Sequence, residues 1–478
     1  MWRRPHRSLL TAPRGPARFH RRSIIESVTD LETRVTPSRA PLLRRAAPAL
    51  LGYAAIRALG LVALAVWSAT RGKSAYTVLT ARWDSLWYAR VAELGYGYEV
   101  RLPNGDVHSN LAFFPLLPWL ERLLHAITPL SYADAGFAVS LLASLAAACG
   151  IFAVADRVYG PRVGICAVAL WAVLPVGIVQ SMAYSESLFT ALAAWSLYAL
   201  LTGRWICAGT LAALAGLTRP VGAAVVAAVW VAGVLSFVRD RSTTCTPSAH
   251  HDTHAPAHTL GAPDDMDAST RAPGAPDATH ASAPTPGTPG STHAPAPTPG
   301  AGAPRTPFAP PAPALRRALG MVLAPLGAAG YVLWVGRRTG EGLLGYLDVQ
   351  AGWRNGFDGG YAFARFVADK FTSFPSALAG VGLIVGVALL LWLYVTGIRR
   401  RQPVELLVYT GVVLALALCA SSYFGSKPRL LLPAFPVLLP LACALARLRT
   451  SRSVLVTTVL AIASAIYGAF WLNGSGPP

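Results

Sequence analysis

The chain runs to 478 residues, of which 54% are hydrophobic and only 13% charged, and its mean hydropathy is +0.45. That charged share is about half the ~25% usual in soluble domains, which excludes an ordinary water-soluble globule and predicts an all-α bundle of membrane-spanning helices. The net charge of +19 invites a nucleic-acid partner, but arginines gather beside apolar runs, at Arg399 to Arg401 and at Arg447, Arg449 and Arg452, as in short cytoplasmic loops, so the charge sets orientation and no nucleic acid is expected.

Residues 1–47 hold eleven arginines against Glu26, Asp30 and Glu32, with scattered prolines and no periodicity. They read as a disordered cytoplasmic arm, too long and too charged for a cleavable leader. Pro48 to Ala69 is the first predicted span, carrying the chain outward, and Arg57 within it must face the bundle or snorkel. Residues 70–134 then form a first exterior loop. Within it, Leu111 to Ile127 is apolar but interrupted by Pro115 and Pro118 and carries Glu121, Arg122 and His125, the composition of a helix lying at the interface.

Further spans are predicted at 135–155, 163–182 and 187–201. Trp205 to Val238 is too long for one crossing, and Pro220 inside it removes a helix hydrogen bond, so it divides in two with Arg219 near the exterior end. Residues 239–313 turn to Pro, Ala, Thr, Gly and six histidines with almost no aliphatics, which predicts a disordered cytoplasmic linker. Spans resume at 318–336, 375–397, 403–421, 430–447 and 453–472, for about 10 or 11 in all, in N-terminal (48–238) and C-terminal (314–478) modules. A second exterior loop, 339–374, carries Trp353, Arg354, Asp358 and Tyr361 and is expected beside the first. The six cysteines show no Cys-x-x-Cys spacing, so neither a zinc site nor a disulfide framework is indicated.

The first loop opens with Arg82-Trp83-Asp84-Ser85-Leu86-Trp87-Tyr88. On a helix, Asp84 and Tyr88 share one face and Trp83 and Trp87 another, since residues four apart are neighbours. Residue types alone leave two readings open. The aromatics can be an interfacial belt with Asp84 facing water, or Asp84 can be a general base at the mouth of a lipid-facing cavity, a role worth ~10²–10⁴ in rate.

Trp83-Asp84-Ser85 with Trp87-Tyr88, Gly95-Tyr96 with Glu99, and Ala112-Phe113-Phe114-Pro115-Leu116 with Pro118 resemble the opening signature of the PIG-V family, polytopic mannosyltransferases of the GT-C class. Gln180 to Phe189 and Ala215 to Gly222 resemble that family's second and third blocks, in the same order. Lys427 and Arg429 before a proline-broken apolar run also look like a feature of many GT-C enzymes.

The resemblance implies a polyprenyl-phosphate-mannose donor, a glycolipid, glycan or protein hydroxyl as acceptor, and a lipid bilayer around both. Asp84 would then take the acceptor proton in a single inverting displacement. A phosphate leaves well without a separate acid, so the two carboxylates of glycoside hydrolysis are not required. Arg219, Lys427 and Arg429 are the candidate cations for the departing phosphate, acting where water is scarce. Arg82, Trp83, Trp87, Tyr88 and Tyr184 are further candidate substrate contacts, with Glu99 and His108 for the acceptor. Glu186 either binds sugar hydroxyls or caps a helix start. No Asp-x-Asp pair occurs, and neither metal nor cofactor is called for. The competing reading is a transporter or flippase for a lipid-linked sugar.

Overall fold

A computed structural model describes residues 41–244 and 312–474. The predicted arm lies outside them except for its last residues, which already belong to a helix starting at Leu42. The predicted linker lies outside them except at its ends: helix continues to Thr244 and resumes at Ala312. Nothing structural is therefore assigned to the histidine-rich tract.

The described residues form a bundle of helices with two short antiparallel ribbons. Among the described residues, six helices are long and apolar enough to cross a membrane: Leu42–Thr70 (α1), Tyr132–Tyr159 (α5), Pro220–Arg241, Pro313–Thr339, Ser376–Arg399 (α14) and Thr450–Leu472 (α18). A seventh is available if Phe424–Leu430 and Phe435–Arg447, bent by 74°, count as one broken span. Other predicted spans fall on shorter helices, among them Pro161–Ala172 (α6), Ser185–Leu201 (α7), Trp205–Gly216 (α8) and Val404–Cys419 (α15).

Proline explains the short pieces. The predicted span 163–182 is helical only to Ala172, about 18 Å of rise, because Pro175 follows and the chain passes into a 3₁₀ turn over Gly177–Ser181. The carbonyls freed at that break need donors, and the buried guanidinium of Arg57 supplies two hydrogen bonds, to Ala172 O and Gly177 O. Arg57 therefore faces the bundle, where it is spent on a broken helix end. In the same way Pro433, Pro436 and Pro440 break the run predicted at 430–447 into Lys427–Leu430 (α16), a 3₁₀ turn and Leu439–Arg447 (α17).

The core is built around Tyr53, Phe152, Trp171, Phe189, Tyr409 and Phe435, all fully buried. Small residues set the closest approaches, as expected where lipid supplies no hydrophobic drive between helices. A β-carbon on Gly327 of Leu326–Thr339 (α11) would stand 1.8 Å from Ala213 O, and one on Gly209 would stand 2.2 Å from Gly320 O. Backbones of α8 and the 313–339 span therefore touch.

The first loop contains two short helices, Ala75–Thr80 (α2) and Asp84–Leu94 (α3), a ribbon pairing Glu99–Arg101 (β1) with Val107–Ser109 (β2), and the helix Leu116–Ile127 (α4). It is fixed to the bundle by main-chain groups. Leu116 N–H donates to Leu217 O at 3.0 Å, and Tyr331 OH lies 2.9 and 2.8 Å from Leu111 O and Phe113 O. The break that ends α8 is consequently tied to the first loop.

Candidate active site

Two helix starts aim carboxylates at one spot. Asp84 is the first residue of α3, and Glu186 lies in the first turn of α7, positions where the helix dipole favours negative charge. Trp83 just before α3 has φ +54°, a left-handed conformation rare for a bulky residue. Ser85 Oγ donates to Arg82 O at 2.6 Å and accepts from Arg82 N–H at 3.1 Å, which closes that turn.

Two arginines meet these carboxylates. Arg429 Nη1 lies 2.7 Å from Asp84 Oδ2, and Arg429 Nε lies 3.7 Å from Glu186 Oε1. Arg219 Nη1 lies 2.5 Å from Glu186 Oε1, and the same nitrogen reaches Ser185 Oγ at 3.3 Å. The quartet carries two positive and two negative charges with almost no water access; only Asp84, at 22%, keeps a substantially exposed side chain. Burial acts to lower the Arg219 pKa, but Glu186, Tyr88 and Asp84 together outweigh it and the net shift is upward. The guanidinium of Arg429 also lies over the Tyr184 ring, 5.1 Å from its centroid.

Tyr88, one turn beyond Asp84, shares a 2.7 Å hydrogen bond with Ser185 Oγ. Burial raises the pKa of its phenol well above the usual value. Its ring meets Phe113 edge-on at 5.1 Å, and Phe113 stacks on Trp87 at 5.6 Å. Trp353 from the second loop completes the group: it touches Trp87 and Phe113 edge-on, stacks on His108 at 4.0 Å and donates its indole N–H to Ser109 O. The two loops thus meet through a box of rings.

A cavity of about 510 Å³ lies against these groups. One end holds Asp84, Tyr88, Glu186, Arg219 and Arg429, another holds Tyr346, Gln350, Trp353 and Asn355, and a third wall is apolar, formed by Val413, Leu416, Leu430 and Pro433. Gln350 donates to Tyr346 OH at 2.6 Å and accepts from Asn355 Nδ2 at 2.9 Å. A pocket with few convergent polar groups on an apolar wall suits an amphipathic ligand.

Of the twelve residues singled out in the sequence, Asp84, Tyr88, Glu186, Arg219 and Arg429 line this cavity. Tyr184 lies beneath Arg429, and Trp87 and His108 support Trp353 from behind. The other four stand elsewhere. Trp83 does not share a helix face with Trp87, because its positive φ turns it out of α3 and into a cluster with Leu64 and Val78. Arg82 lies over the Trp83 ring at 4.1 Å, and Glu99 is exposed on β1. Lys427 is buried with its ammonium donating to Ala417 O and Ala420 O, at 2.9 and 2.6 Å. It closes the C-terminal end of α15 and does not line the cavity.

Gln350, Asn355 and the wall of α15 carried no signal in the sequence: amides in a loop and leucines in an apolar run look like their neighbours. Trp353 was visible as an aromatic in the second loop, but its role depends on the contact between loops.

Residues 110–256 match a family model described as dolichyl-phosphate-mannose-protein mannosyltransferase. The match spans less than half the chain; it includes Glu186 and Arg219 and leaves out Asp84. It is a different family from the PIG-V family that the motifs resemble, and both names describe mannosyltransferases. No curated protein matches the chain. Among solved structures, ArnT from Cupriavidus metallidurans, crystallised with undecaprenyl phosphate, aligns at 16% identity with a TM-score of 0.43, covering 83% of this chain. The chain spans 61% of that protein's length.

Proposed function

We propose that the protein is an integral membrane glycosyltransferase that moves mannose from a polyprenyl-phosphate-mannose donor to a hydroxyl acceptor. The observation that carries this reading is a single cavity joining a carboxylate, the buried Arg429, the half-buried Arg219 and an apolar wall. The matched stretch and the order of the three motif blocks support the sugar and the lipid carrier. The N-terminus is assigned to the cytoplasm and the catalytic loop to the exterior, from the arginine distribution.

The chemistry is one displacement at the anomeric carbon, with inversion. The acceptor oxygen forms its bond to carbon as the carbon–oxygen bond to phosphate breaks. Asp84 Oδ takes the acceptor proton, and the polyprenyl phosphate leaves as an anion beside Arg429 and Arg219. The apolar wall takes the first part of the tail, and the rings around Trp353 bound the space for the mannose and the acceptor. Glu186 keeps the two arginines at fixed positions.

The test is transfer of labelled mannose from polyprenyl phosphate to endogenous acceptors in membranes carrying wild-type or Asp84→Asn protein. A labelled product with the wild type and a loss of at least about 10² with the variant is the expected result. Donor crossing the bilayer with no glycosylated product would establish a lipid-sugar transporter instead.

A further inference from the structure

Tyr346, Gln350 and Asn355 line the cavity from the second loop and take no part in the charged quartet. Tyr346 and Gln350 lie one turn apart on Gly345–Gly352 (α12), and the chain then doubles back so that Asn355 N–H donates to Gln350 O at 2.9 Å. That return puts Arg354 at φ +55°, a left-handed conformation that a residue with a side chain adopts only at a cost. Its guanidinium is not in the cavity but pairs outside with Asp106 at 2.6 Å. The strain is spent on its neighbours, Trp353 and Asn355, which both line the cavity.

The direction of the hydrogen bonds in this group is set from one end. Ala112 O can only accept, so the amide atom 3.4 Å from it is Gln350 Nε2. The same nitrogen donates to Tyr346 OH at 2.6 Å, which leaves Gln350 Oε1 to accept from Asn355 Nδ2 at 2.9 Å. Two capacities then remain without a partner among the described residues, the hydroxyl proton of Tyr346 and Asn355 Oδ1. One is a donor, the other an acceptor, and neither is charged. An anion would set its charge against Asn355 Oδ1, whereas sugar hydroxyls both donate and accept.

The group also stands in a telling place. Burial does most to raise the Tyr346 phenol pKa, and Tyr88 and Arg219 are near enough to act on it as well. The free donor thus adjoins the cation assigned to the departing phosphate, where the sugar bonded to that phosphate belongs. Its frame is stiff: a β-carbon on Gly352 would stand 2.3 Å from Val107 O of β2, and Trp353 donates to Ser109 O at 3.0 Å. Rigid support of this kind is what a recognition site needs.

We infer that Tyr346, Gln350 and Asn355 form the subsite that reads the hydroxyls of the transferred hexose. Asn355 Oδ1 accepts from one hydroxyl, the Tyr346 hydroxyl donates to another, and Gln350 holds the two in register. This rests on the proposed donor class and adds the residues that select its sugar. A site built to hydrogen-bond a hydroxyl rejects an analogue that cannot supply it, because its own polar groups are left unpaired.

The experiment measures equilibrium binding of labelled long-chain polyprenyl phosphate, its mannoside and its glucoside to the purified full chain, with no acceptor present. The two sugars differ in the direction of one hydroxyl. Wild type should prefer the mannoside. Asn355→Ala and Tyr346→Phe should each weaken mannoside binding about tenfold, the loss of one hydrogen bond, narrow the preference over the glucoside and leave the bare lipid phosphate unchanged. Equal weakening of all three ligands would mean that the loop only shapes the cavity, and would overturn the subsite. So would unchanged mannoside binding, a wild type indifferent to the sugar, or slower transfer with donor binding intact, which would assign these groups to the acceptor. If wild-type membranes transfer no mannose, the transferase reading fails by itself, and the binding ratios still decide the subsite.

Discussion

Asp84 Oδ2 and Arg429 Nη1 stand 2.7 Å apart at the edge of the cavity, so the proposed base is engaged by a proposed phosphate partner. A donor phosphate reaching Arg429 competes with the carboxylate for the same donors, and its arrival frees Asp84 to face the acceptor. Opposite outcomes therefore follow from one substitution. Asp84→Asn should lower transfer by about 10²–10⁴ and at the same time tighten binding of polyprenyl phosphate, because Arg429 loses its internal anion. Equilibrium binding of labelled polyprenyl phosphate to purified protein reads the second effect. Weaker binding in the variant would remove the competition from the mechanism.

Glu186 and Arg219 make the companion pair, and here burial decides the sign. Removing one partner of a buried ion pair strands the other and costs about 3–5 kcal/mol, whereas removing both costs far less. Arg219→Ala should thus lower the thermal midpoint strongly, and adding Glu186→Ala should restore part of the loss while transfer stays low. A double variant no more stable than Arg219→Ala would show that Glu186 is satisfied by Arg429 alone, 3.7 Å from its Oε1.

These pairs also mark what a sequence can and cannot disclose. Spans such as Tyr132–Tyr159 and Ser376–Arg399 were legible because apolar runs of that length have one use, and the break at Arg219-Pro220 was legible because proline dictates it. The interruption after Ala172 was missed, since Pro175 sits in a run whose hydropathy never falls, and only the Arg57 contacts show how the break is satisfied. Lys427 and Arg429 looked equivalent two residues apart. Their difference arises from the turn of α16, which points one ammonium at the carbonyls of α15 and the other cation into the cavity.

The helix contact behind Arg219 can be tested without touching the site. A β-carbon at Gly327 would stand 1.8 Å from Ala213 O, while one at Gly330, a turn away on the same helix, meets nothing within 4 Å. Gly327→Val should therefore force α8 and α11 apart at a cost of about 1–3 kcal/mol. It should also reduce transfer, because Leu217 O, which anchors the first loop through Leu116 N–H, follows Ala213 by one turn. Gly330→Ala should leave transfer unchanged and thermal stability equal or slightly raised, since alanine favours helix over glycine. Equal behaviour of the two variants would disprove close backbone contact.

Glu121 supplies a pH-dependent prediction away from the chemistry. Its side chain on α4 is 1% exposed against Gly136 of α5, and Oε2 has no hydrogen-bond partner among the described residues. Burial raises its carboxyl pKa well above the usual value. A carboxyl with a raised folded pKa contributes its full stability below the unfolded value of about 4.3 and loses it as pH climbs toward the folded value. Glu121→Gln mimics the protonated form at every pH. Its thermal midpoint should match wild type near pH 4.5 and exceed it increasingly toward pH 8, where the ionised carboxylate has neither water nor a cation. A gap that is constant across this range would mean that Glu121 keeps an ordinary pKa, and that α4 opens to water beside Gly136.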